Sequence, residues 1–189
     1  IARAYSEKTK IAFCGYHGWH DWYLSVNLGK TDSLDGHLLP GLQPNGVPEG
    51  LAETTIPFKY NDIEALEKIF TDNKGDMAGI IMEPIRNEEP RAGFLEKVKE
   101  LARKNNAVLI FDEITAGWRE ITAGMHMKYG IEPDIAIFGK TISNGFPMAA
   151  IIGVDTVMEA AQNTFISSAY FTDRIGPASA LKTLQIHRE

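Results

Sequence analysis

The sequence predicts an α/β protein, a mostly parallel β-sheet flanked by helices. Short apolar runs rich in β-branched residues, such as Val108-Leu109-Ile110-Phe111 and Ile135-Ala136-Ile137-Phe138, have the length and continuity of strands covered on both faces. Amphipathic helical patterns alternate with these runs, as crossover connections between parallel strands require. The runs also close on charged or turn-forming residues. Asp112 follows Phe111, and Lys140 follows Gly139.

The elements follow in order. Ile1-Ala2-Arg3-Ala4-Tyr5 reads as the last turn of a helix, and Lys10 to Cys14 as a strand. An aromatic stretch comes next, from Gly15-Tyr16-His17-Gly18 through Trp19, Trp22 and Tyr23. From Leu24 to Pro57 no period persists, and Gly36, Pro40, Gly41, Pro44, Gly46, Pro48 and Gly50 punctuate the segment. So long a loop is usually functional, which predicts a wall or cover for a pocket. Asn61 or Asp62 can cap a helix through Phe70, whose stripe is Ile63, Leu66, Ile69 and Phe70. The strand Met77 to Met82 ends at Glu83-Pro84. Leu95, Val98, Leu101 and Ala102 mark a second amphipathic helix that leads into the strand delivering Asp112. A short helical stretch near Ala123–Tyr129 precedes the strand delivering Lys140. Met148 to Val154 is a further strand, Asp155 caps a helix through Gln162, and Pro177 to His187 reads as a last helix. No linker or internal repeat interrupts the chain, so residues 1–189 are expected to form one domain.

The composition narrows the function. With 189 residues, 44% of them hydrophobic, the chain can bury a core. A net charge of −6 offers no basic field for nucleic acid. No apolar stretch approaches the roughly 20 residues that span a bilayer. The first residues carry no signal-peptide core, so a cytoplasmic location is expected. The one cysteine, Cys14, lies in an apolar run and reads as a buried, inert thiol. His17, His20 and Asp21 invite a zinc reading. Gly18 works against the helix that would align the two histidines, no third ligand cluster accompanies them, and polar pocket lining is the expectation.

Ligands of open parallel sheets bind beyond the carboxyl ends of the strands, where Asp112 and Lys140 stand. A lysine there can attack a carbonyl to form a Schiff base. A carboxylate can hold a pyridinium nitrogen protonated. The pair therefore points to pyridoxal 5'-phosphate (PLP) chemistry.

Phe111-Asp112-Glu113-Ile114-Thr115-Ala116-Gly117, Pro133-Asp134 and Phe138-Gly139-Lys140-Thr141-Ile142-Ser143-Asn144-Gly145-Phe146-Pro147 together resemble the class III PLP-dependent aminotransferases. Gly15-Tyr16-His17-Gly18, Glu83-Pro84, Thr172 and Gly176-Pro177 match in order, and the chain looks nearest to the glutamate-1-semialdehyde aminomutase-like branch. The resemblance implies a fold-type-I large domain with Lys140 as the Schiff-base lysine and proton carrier. Asp112 would pair with the pyridine nitrogen, Tyr16 stack on one ring face and Ile114 pack under the other. His17 falls within the matched turn and joins the expected cofactor-binding set. Thr172 would reach the phosphate of a partner subunit's cofactor, which implies a homodimer. Thr115 departs from the glutamine many members carry near the cofactor's phenolic oxygen. The implied substrates are a small amino donor and a carbonyl acceptor, with an intramolecular aminomutase or a truncated, non-catalytic remnant as alternatives. A phosphate-binding turn would precede Ile1 and a small domain follow Glu189, so residues 1–189 are expected to be the central part of the large domain and inactive alone.

Overall fold

A six-stranded sheet organises the computed structural model, which describes residues 1–167 and 170–188. Its strands are β1 (Lys10–Cys14), β2 (Thr55–Pro57), β3 (Met77–Met82), β4 (Val108–Asp112), β5 (Ile135–Phe138) and β6 (Ala150–Gly153). Their spatial order is β2-β1-β3-β4-β5-β6. The first five run parallel, and β6 pairs antiparallel with β5. All six residues of β3 are buried, as expected of a central strand covered on both faces.

Side chains alternate between two cores. On one face Ala12, Ile80, Met82, Leu109 and Phe111 pack with α3 (Ile63–Asp72) and α4 (Phe94–Lys104) through Leu66, Phe70, Leu95, Val98 and Ala102. On the other, Ile11, Phe13, Ile81 and Val108 meet Ala2 of α1 (Ala2–Ser6), Tyr23 of α2 (Asp21–Leu24) and Val157 of α6 (Asp155–Met158). Two further helices, α5 (Met125–Tyr129) and α7 (Ile175–Ile186), follow β4 and β6. Asp62 caps α3 by accepting a hydrogen bond from the Ala65 N–H at 3.0 Å.

Most expected elements are present, with ends moved by a few residues. One strand is new: β2 lies within the span read as loop, and its three residues are too few to show a period. It forms the edge of the sheet, paired only with β1. Residues 25–54 are otherwise irregular apart from two 3-10 turns, Ser25–Leu28 and Glu49–Leu51. The last helix starts at Ile175, two residues before the expected Pro177, because proline is tolerated in a first turn. Among the described residues no helix is long and apolar enough to cross a membrane.

Gly79 shows how tightly the central strands are set. A Cβ added there would lie 2.6 Å from the Val108 carbonyl oxygen on β4 and 3.5 Å from Ile11 Cδ1 on β1. Gly79→Ala therefore forces the β3–β4 ladder apart, an overpacking cost of about 1–3 kcal/mol. Calorimetry is expected to show a melting temperature lowered by roughly 2–12 °C. An unchanged melting temperature would show that the strands yield freely at this point.

Candidate active site

Asp112 is the last residue of β4, and Lys140 lies two residues past the end of neighbouring β5. The parallel pairing thus brings the acid and the amine to one end of the sheet. Asp112 is buried and Lys140 exposed. Lys140 has φ +44°, a left-handed conformation that costs a non-glycine residue and clusters at functional sites. Its Nζ donates to Thr115 Oγ1 at 3.0 Å. The unusual Thr115 therefore orients the lysine. Ile114 touches the chain just before that lysine, since a Cβ on Gly139 would sit 3.3 Å from Ile114 Cγ2.

His17 supplies the contact that defines Asp112. Its Nδ1 lies 2.9 Å from Asp112 Oδ2, and its Nε2 lies 2.9 Å from the Cys14 carbonyl oxygen. A carbonyl only accepts, so Nε2 carries a hydrogen. Nδ1 faces a carboxyl oxygen, so a proton lies between those two atoms as well. Paired as an imidazolium and a carboxylate, both ring N–H groups would donate and both Asp112 oxygens would accept. Asp112 Oδ1 also accepts the Ile114 N–H at 3.1 Å. One lone pair on each oxygen remains for a further donor.

Tyr16 is half-buried beside this pair, edge-on to Tyr23 at 5.7 Å and 5.3 Å from Trp19. Burial, and then the Asp112 charge, push its phenol above the ordinary range. Tyr16, His17, Asp112, Ile114 and Lys140 are therefore grouped at the carboxyl ends of β1, β4 and β5. Thr172 is not tied to them. It sits exposed in the turn before α7, and no hydrogen bond joins it to the group among the described residues.

Several polar residues gain roles that motif reading missed. Glu113 is fully buried. One of its oxygens accepts from Met125 N at 3.0 Å, the other from His126 N and Nδ1 at 2.8 Å each, so it closes the start of α5. Two adjacent acids at a buried strand end were the available signal. One serves the site and the other the scaffold. His20 Nδ1 caps α2 by accepting the Tyr23 N–H at 3.3 Å, which gives that histidine a structural role. Cys14 is buried, and burial followed by the Glu83 charge pushes its thiol up to about 12, in keeping with an inert group.

His37, from the long irregular segment, was not singled out by its sequence surroundings. Its Nδ1 accepts the Gly15 N–H at 3.3 Å, and its ring lies 5.0 Å from Phe13. It lines a cavity of about 730 Å³ together with Cys14, Gly15, Tyr60, Glu83 and Arg86. The expected pocket wall is thus present. Asp112 and Lys140 do not line that cavity, so it lies beside the acid–amine pair and does not enclose it.

Burial, with His17 and Lys59 adding to it, pushes the His37 imidazole down from 6.5 to about 4. The unfolded chain therefore takes up this proton at a higher pH than the folded one. The stabilisation is complete above pH 6.5 and is lost as the pH falls toward 4. Glu83 acts in the opposite sense, because burial raises its carboxyl. In urea melts, the stability of the wild type minus that of His37→Gln is expected to decline from pH 7 to pH 4. A difference that stays constant would contradict a buried neutral His37.

Comparison with known proteins identifies the family. The family described as Aminotransferase class-III matches residues 1–189. The 3-aminobutyryl-CoA aminotransferase of Cloacimonas acidaminovorans is 39% identical over 98% of this chain and 42% of the relative. The glutamate-1-semialdehyde 2,1-aminomutase of Ignicoccus hospitalis is 38% identical over 84% of this chain and 38% of the relative. The PLP internal aldimine form of the FumI protein of Sphingopyxis sp. MTA144 superposes with a TM-score of 0.84 at 26% identity, covering 100% of this chain and 43% of that one. The chain spans about two fifths of the length of the relatives it matches. By its family match and the fold it shares with these proteins, the chain belongs to the class-III aminotransferase family.

Proposed function

We propose that the intact protein transfers an amino group between a small amino donor and a carbonyl acceptor, with PLP held between Asp112 and Lys140. One observation carries this reading. Buried Asp112, hydrogen-bonded to the buried His17 ring, and exposed Lys140, in a left-handed backbone conformation, stand at and just past the ends of neighbouring strands. The donor set fits the group, since Asp112 keeps lone pairs for a pyridinium N–H and Lys140 presents an exposed amine held by Thr115 Oγ1.

Bound PLP would supply an electron sink that stabilises negative charge at the substrate carbon. The protein's own residues do the rest. Asp112, held by His17 and the Ile114 N–H, keeps a negative charge where a ring nitrogen needs to stay protonated. Lys140 Nζ would hold the cofactor and would carry a proton to and from the substrate carbon. Thr115 Oγ1 orients that amine. Tyr16 and Ile114 are read as the two walls that hold the ring and limit water.

Intramolecular aminomutation is the second reading, favoured by the aminomutases among the relatives at 38–40% identity. A homodimer is part of the proposal. Its support is a short stretch of sequence in which Thr172, Phe165, Ile166 and Phe171 are all exposed. The cytoplasm is the proposed location.

Borohydride reduction of the intact protein with PLP, followed by peptide mapping, is the direct test. Reductive label is expected on Lys140, and it should be lost in Lys140→Ala. Asp112→Asn should retain the label but lose activity by a factor of about 100 or more, as expected when a positioned charge is removed from a reaction centre. Label spread over surface lysines, with Lys140 unmodified, would overturn the assignment.

A further inference from the structure

We infer that His37, Glu83 and Arg86 are positioning residues for the Asp112–Lys140 site and act through the Gly15–His17 turn. The inference rests on the proposed function for what the site does, but the geometry behind it is independent of any cofactor. β1 and β4 are not neighbours, because β3 lies between them. His17 follows β1, yet its ring pairs with Asp112 on β4. The turn must therefore carry that imidazole across the end of β3, a span of about 10 Å at two strand spacings. No regular structure holds these three residues. Something else must fix them.

Glu83 follows Met82 at the end of β3, under the path of the turn. Glu83 is 4% exposed. A Cβ on Gly15 would come within 2.8 Å of Glu83 Oε2, and Gly15 has φ +103°. Only glycine lets the backbone pass so close to the acid in that conformation. The opposite side of the turn is held by the Gly15 N–H donating to His37 Nδ1 and by Tyr23 Oη donating to the Gly15 carbonyl at 2.9 Å. Arg86 closes the circuit. Its Nη1 donates to Glu83 Oε2 at 3.2 Å and to the His37 carbonyl at 3.4 Å. The result is a ring of contacts, His37 to Gly15 to Glu83 to Arg86 and back to His37. It ties the irregular segment after α2 to the turn that delivers both Tyr16 and His17.

This ring explains two features that packing alone leaves unexplained. An acid is buried at the end of β3, ion-paired with Arg86, which is itself partly exposed. That arrangement costs desolvation, which a fixed turn offsets only if the turn's geometry matters. A neutral imidazole is likewise held in place as an acceptor for a single backbone N–H. His37 keeps the Gly15 N–H satisfied, and Glu83 lies against the backbone of the turn at Gly15.

The test uses the intact protein, first free of cofactor and then titrated with PLP. The variants are His37→Ala, which removes the acceptor for Gly15, His37→Gln, whose side-chain oxygen can replace it, and Glu83→Gln. In the cofactor-free protein, the downfield proton resonance of the His17–Asp112 pair is expected to shift in His37→Ala and Glu83→Gln and to return toward wild type in His37→Gln. PLP affinity should fall roughly 3- to 10-fold in His37→Ala, the equivalent of one hydrogen bond, and recover in His37→Gln. If His37→Ala does not fold, the other two variants carry the same comparison. An unmoved His17 resonance with unchanged affinity would overturn the inference, as would equal effects of the alanine and glutamine variants. A resonance that moves as expected in a protein that takes up no PLP at Lys140 would sink the proposed function and leave the positioning ring standing.

Discussion

The contact between His17 and Asp112 is the constraint on which the rest of the site depends. Two charges taken from water lose several kcal/mol of hydration each, and only close pairing with further hydrogen bonds offsets that loss. Both side chains meet the condition. The imidazole spends its two N–H groups on Asp112 and the Cys14 carbonyl, and the carboxylate adds the Ile114 N–H. The remaining lone pairs of Asp112 are then available at a fixed place with the charge already compensated. Removing one member of such a pair leaves the other buried and uncompensated, at a cost of about 3–5 kcal/mol.

The sheet makes the contact possible and also sets its difficulty. Parallel strands bring the ends of β1, β3, β4 and β5 to one edge, so a few short connections supply every group the site uses. Lys140 arrives directly from β5 beside Asp112, at the expense of a left-handed backbone. His17 has to cross β3 to arrive from β1. Glu83, Gly15 and His37 stand at that crossing. Glu113, next to Asp112 in sequence, is used differently, anchoring α5 behind the strand end.

Much of this was legible in the residues themselves. Buried strands such as Val108–Asp112 announce themselves by continuous apolar character, and the charges that end them mark the binding edge. Tyr16, Ile114, Asp112 and Lys140 sit in local motifs that survive being read one segment at a time. His37 does not, because its partner Gly15 is 22 residues away and nothing near it in sequence is periodic. β2 escaped for a related reason: three residues at an edge carry no pattern. Thr115 was visible as a departure, but its bond to Lys140 depends on the adjacency of β4 and β5. Thr172 shows the reverse case, a motif match that no hydrogen bond joins to the site among the described residues.

Nitrogen-15 NMR of the His17 ring in the wild-type protein near neutral pH tests the central claim most directly. An imidazolium paired with a carboxylate has both ring nitrogens protonated, so both are expected at imidazolium shifts, with direct one-bond coupling to hydrogen. A neutral ring, with one nitrogen at the shift of an unprotonated acceptor, would mean that Asp112 holds the proton, and the compensated carboxylate at the heart of the site would not exist.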